Sequence, residues 1–108
     1  MVNNHYLYLI TPSAKKDIKS IYEYISVILN NPVSAQKLIS KFLKVFESLT
    51  VFPKRFPVVN NGFIKEKEIR RINIDSYSVF YRVKEKKIEI LRVIYSKLNI
   101  IEILKKVN

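Results

Sequence analysis

The groups able to do acid–base or phosphate chemistry gather late in the chain. The stretch LRVIYSKL (91–98) takes a strand-forming run into Tyr95, Ser96 and Lys97, which could donate protons or hold a phosphate. Upstream, Arg70, Arg71, Arg82 and Arg92 are four of the five arginines. A guanidinium fork matches phosphate or carboxylate geometry better than an ammonium does. Exposed strands also carry arginine for solubility, so residue type leaves Arg70, Arg71 and Arg92 between contact and solvation. Lys65 and Lys67 alternate with Glu66 and Glu68, which reads as a solvated loop.

Other reactive constellations fall away. His5 is the only histidine; a His-paired metal site is excluded, and a catalytic triad would need this residue on an N-terminal strand. A place on the rim is the expectation for it. There is no cysteine, hence no disulfide framework or thiolate metal site. With Gly62 the sole glycine, no Gly-rich loop exists to cradle a nucleotide. The nine acids are scattered, against paired-carboxylate chemistry. Neither metal nor cofactor is expected.

The net charge of +11 favours an anionic partner: nucleic acid, the ribosome or an acidic protein. A Lys-, Ile- and Asn-rich genome composition would produce the same excess without selection for binding. At 108 residues and 48% apolar, the chain is long enough for one domain, 1–108, with a real core. No apolar run approaches the ~18–20 residues of a membrane span. The start MVNNHYLYLITP lacks a basic leader and a small-residue cleavage site. A soluble, cytoplasmic protein is expected.

These side chains need a scaffold. HYLYLIT (5–11) reads as a first strand. Thr11 can cap a helix with Pro12 at its first position, and Ala14, Ile18, Ile21, Ile25 and Ile28 recur at helical steps. Asp17 sits toward the helix start, where the dipole favours negative charge. Asn31 and Pro32 restart the pattern. Ala35, Leu38, Ile39, Phe42, Val45, Phe46 and Leu49 form the apolar face of a second helix, ending before Pro53, with Lys37, Lys41 and Lys44 opposite. FPKRFPVVNNGFIKEKE (52–68) reads as a loop. EIRRINI (68–74), YSVFYRV (77–83) and KIEILRVIY (87–95) are strands joined by short polar turns, and KLNIIEILKKVN suggests a short terminal helix. Alternation places Tyr77, Val79, Tyr81 and Val83 opposite Ser78, Phe80 and Arg82. It also places Ile90, Arg92 and Ile94 opposite Leu91, Val93 and Tyr95. The order β-α-α-β-β-β predicts an α+β fold, with a helical hairpin packed on one face of a mainly antiparallel sheet.

In this order, SAKKDIKSIYEYI, NPVSAQKLISKF, SLTVFPKRFP, EIRRINI, YSVFYRV and IEILRVIYSK resemble the RelE/ParE superfamily of type II toxins. Ala14, Asp17, Ile18, Ile21, Tyr24 and Ile25 meet its first-helix pattern. The resemblance implies a growth inhibitor neutralised by a cognate antitoxin, whose C-terminal segment wraps the toxin. DNA contact would then run mainly through the antitoxin. RelE-like members cleave mRNA in the ribosome, and ParE-like members poison DNA gyrase. Nuclease members carry a middle-strand arginine where Ser78 stands, and many have an arginine where Leu98 stands. Lys65, Lys67, Tyr95 and Lys97 would be a substitute catalytic set, but an exposed tyrosine titrates near ~10 and makes a poor base. The ParE-like branch is preferred, with Arg70, Arg71, Arg92, Tyr95 and Lys97 expected to contact target or antitoxin. A ribosome-dependent mRNA endonuclease is the alternative, and a toxin-fold binding protein without toxicity a further one.

Overall fold

Thr11 and Pro12 open the first helix as their chemistry dictates. The Thr11 hydroxyl accepts from the Ala14 amide at 3.2 Å, and Pro12 takes the first-turn position, where an N–H has no intrahelical partner. Asn31 repeats the device for the second helix, accepting from the Ser34 amide at 3.1 Å ahead of Pro32. The computed structural model describes residues 6–107. It runs β1 (Leu7–Ile10), α1 (Pro12–Glu23), a π turn (Tyr24–Ile28), α2 (Pro32–Leu49), a 3-10 turn (Lys65–Lys67), β2 (Arg70–Ile74), β3 (Tyr77–Lys84), β4 (Lys87–Tyr95) and α3 (Ile100–Leu104). His5 lies outside the described residues.

The fold is the expected α+β arrangement. Its four-stranded sheet has the order β1-β4-β3-β2. β1 runs parallel to β4, a pairing that periodicity could not decide, and the other two pairs are antiparallel. One face buries Ile72, Ile74, Val79, Tyr81, Ile88, Ile90 and Val93 against Ala14 of α1 and Leu38, Phe42, Phe46 and Leu49 of α2. Each fully buried large side chain of this kind contributes roughly 1.5–3 kcal/mol. The Tyr81 hydroxyl reaches through this core to donate to the Pro53 carbonyl at 2.7 Å.

The second sheet face is also covered: Ile64 and Ile69 of the loop region and Ile100 and Leu104 of α3, the short terminal helix, close over Phe80, Leu91 and Ile94. Two sequence expectations are corrected. Alternation along β4 breaks midway, because a bulge lets Phe80 pair with Arg92 and Tyr81 with Ile90. The extra residue, Leu91, shifts the pleat, so Ile90 and Ile94 join different clusters instead of sharing a face. Ile28 leaves the helical stripe for a similar reason. The Leu29 amide bonds to the Tyr24 carbonyl, and this wider i→i+5 turn carries Ile28 outward while Ile18, Ile21 and Ile25 stay against the core.

Candidate partner-docking site

The unequal lengths of β1 and β4 create the site. β1 pairs only with Lys87–Ile90, leaving the outer edge of β4 from Leu91 onward without a neighbouring strand among the described residues. Two side chains cap what is left. The Thr11 hydroxyl lies 2.8 Å from the Ile90 carbonyl and 3.1 Å from that of Leu91. Asp17 then accepts from the Val93 amide at 2.9 Å and grips the Arg92 guanidinium with both oxygens, at 2.7 and 2.9 Å. This hydrogen bonding, only partly opposed by burial, raises the pKa of Arg92. Asp17 therefore serves the sheet edge; the first turn of α1 contains no acid, and the dipole role expected for this residue is not the one it plays.

Beyond Asp17 the edge opens into a groove of about 910 Å³ between α1 with its π turn and the end of β4. Ile21, Tyr24, Ile25 and Leu29 line one side; Tyr77, Tyr95 and Leu98 are on the other. At its floor the Tyr77 ring meets Phe42 and Tyr95 edge-on, with centroids 6.1 and 5.9 Å away. Burial raises the pKa of the Tyr77 hydroxyl, and the neighbouring Tyr24 and Tyr95 phenols add to the shift. The hairpin tip continues the apolar surface: Tyr24, Val27, Ile28 and Leu29 are 51, 70, 69 and 54% exposed. A cluster of this size is atypical of a surface that meets only water. It offers burial and shape, but no nucleophile–base pair.

The expected catalytic positions have a different character. Ser78 is fully buried and its hydroxyl is saturated. It donates to Asn73 Oδ1 at 2.8 Å and accepts from Arg71 Nε at 3.1 Å. The Ser96 hydroxyl, 2.9 Å away, is left as donor to it. Arg71 also donates to Asn73 and lies over the Phe80 ring. Arg70 donates to the Lys54 and Phe56 carbonyls. Lys67 donates to the Val107 carbonyl, and Lys65 is exposed on the 3-10 turn. Tyr95 lines the groove, while Lys97 is exposed just beyond it. No hydrogen bond or ion pair links Lys65, Lys67, Tyr95 and Lys97 to one another among the described residues. Nor do three or more His, Cys, Asp or Glu gather there as metal ligands would.

Sequence reasoning missed the groove wall and the network partner Asn73; it named Ser96 for proton or phosphate chemistry, and the structure places it beside Ser78. A signal for the wall was present: five of the six residues Tyr24–Leu29 are apolar or aromatic, more than one helix face can bury.

The helical hairpin on a mixed sheet agrees with the α+β fold that the RelE/ParE resemblance implies. The sequence model described as ParE toxin of type II toxin-antitoxin system, parDE, matches residues 8–99, and this chain belongs to that family. Among solved structures, a chain from the chromosomal ParDE TA system from P. aeruginosa is similar in fold, with a TM-score of 0.69 and 22% identity. The match covers 88% of this chain and all of that one. No curated protein matches.

Proposed function

We propose that this ParE-family toxin arrests growth in the cytoplasm by binding DNA gyrase and holding its cleaved DNA complex, and that a cognate ParD-type antitoxin neutralises it. The observation that carries the gyrase reading is the state of the nuclease positions. Ser78 is buried with its hydrogen bonds spent, Leu98 is apolar, and the substitute set does not converge. A binder needs none of these groups. The groove is the seat proposed for an amphipathic antitoxin segment, with Tyr95 in its wall and Lys97 at its margin. Arg92 is committed to Asp17 and has a structural part in this reading.

Purified protein added to gyrase and relaxed plasmid should block supercoiling and accumulate cleaved DNA. Unchanged supercoiling and no cleavage would remove gyrase as the target. One feature favours a second reading: the Arg71 guanidinium lies beside the Ser78 slot and could meet a phosphate. That reading predicts ribosome-dependent mRNA cuts abolished by Lys97→Ala.

A further inference from the structure

The outward face of α2 has a composition that its packing does not explain. Ala35, Leu38, Phe42, Phe46 and Leu49 are the buried residues of this helix. On its solvent side Lys37, Lys41 and Lys44 recur at steps of four and three, so their stems line one side of the helix over about 10 Å. All three are exposed. Lys41 is steadied by Asp75 of the β2–β3 turn at 3.0 Å, while Lys37 and Lys44 have no ion pair or hydrogen bond among the described residues. Together with Val33, Gln36 and Ser40 they border a shallow trough of about 460 Å³. The only acid in α2, Glu47, lies at its far end.

We propose that this stripe binds the phosphate backbone of duplex DNA, a contact made by the toxin itself and not delegated to an antitoxin. The inference goes beyond the gyrase reading and stands on the stripe alone. Charge complementarity selects the occupant. Exposed ammoniums at regular spacing, two of them without an ion pair among the described residues, with hydroxyl and amide groups between them, suit a line of phosphates. A protein partner would need a buried aromatic or arginine anchor, and the trough contains neither. A single strand would need aromatic platforms for its bases, which the trough also lacks. Because phosphates carry no sequence information, a contact confined to the backbone should be indifferent to sequence.

The test is fluorescence anisotropy of the full chain with a short duplex of arbitrary sequence, across a salt series. Three phosphate contacts give a log–log salt slope of about −2.7, roughly a fortyfold loss of affinity between about 50 and 200 mM salt. Lys37→Gln/Lys41→Gln/Lys44→Gln should flatten that slope by about 2.7, and Lys37→Gln or Lys44→Gln alone by about 0.9. Because these side chains are exposed, the variants should melt as the parent does. Lys84→Gln/Lys86→Gln/Lys87→Gln removes equal charge at the exposed β3–β4 turn and should leave the slope within about 0.5 of the parent. The inference is overturned if both triple variants lose equally, since net charge alone would then be acting. It is also overturned if the α2 variant binds like the parent, or if a single strand of equal length binds more tightly than the duplex.

Discussion

The groove beside β4 and the buried network around Ser78 lie at the same end of the sheet and are built on opposite terms. In the groove, Tyr24, Leu29 and Leu98 present apolar surface with no internal partner sufficient to cover it. Around Ser78, the buried hydroxyl is already engaged: it donates to Asn73 Oδ1, accepts from Arg71 Nε and meets the Ser96 hydroxyl. An unsatisfied surface gains free energy by acquiring a partner, and a satisfied interior loses by being disturbed. On the proposed function, the groove is the surface an antitoxin segment would cover, while Ser78 is held as part of the interior.

The harshest way to break this contrast is Ser78→Arg. The Ser78 side chain is fully buried, so a guanidinium would bring both overpacking and a second cation beside Arg71. Its expected cost is about 4 kcal/mol or more, read as loss of the cooperative denaturant transition. Ser78→Ala should cost only about 1–2 kcal/mol and leave growth inhibition intact. Loss of toxicity in a folded Ser78→Ala variant would show that this hydroxyl takes part in toxicity, as a nuclease would require.

The groove should respond in the opposite way. Tyr24→Asp with Leu98→Asp places charge where an apolar partner would seat, at two half-exposed positions. Antitoxin affinity should fall about a hundredfold, the scale of one strong interface residue, by titration calorimetry, with thermal stability nearly unchanged. If affinity persists while the fold is intact, the antitoxin sits elsewhere.

Much of the scaffold was legible because local chemistry and global packing agree. Thr11-Pro12 and Asn31-Pro32 announce helix starts, the apolar steps of α2 match its buried face, and the polar turns define the hairpins of β2, β3 and β4. What was not legible depends on single-residue departures from periodicity. The bulge at Leu91 and the π turn at Tyr24–Ile28 each arise where tertiary packing overrides a repeat. Both border the groove, so the least readable residues are those that shape the site. Arg92 shows the same limit: its type suggested an external anion, yet its partner is Asp17, seventy-five positions earlier.

That pair tests whether the groove's upper edge is structural. Asp17→Ala leaves Arg92 without its carboxylate and the Val93 amide without its acceptor. It should cost about 2 kcal/mol, between an exposed and a fully buried pair. Adding Arg92→Leu should recover part of that loss, because an apolar side chain leaves no stranded charge. An additive double variant in chemical denaturation would show that the two side chains are not coupled.

The mildest test sets a groove tyrosine against an interior one. Burial raises the hydroxyl pKa of both Tyr77 and Tyr81 above 10; at Tyr81 the nearby Arg70 partly offsets it. A raised folded-state pKa means that the neutral phenol is the favoured folded form. Its stabilisation is complete below the unfolded value of about 10 and disappears as pH rises through the folded value. Denaturant midpoints should therefore drop above about pH 10, and Tyr77→Phe should reduce that drop with a cost under about 1 kcal/mol at neutral pH. Tyr81→Phe should also reduce it, but at a cost of about 1 kcal/mol at neutral pH, because the bond that the neutral phenol donates to the Pro53 carbonyl is lost. If Tyr77→Phe follows the parent through the alkaline limb, the groove floor is wetter than its packing against Phe42 and Tyr95 requires, and a partner would gain less by covering it.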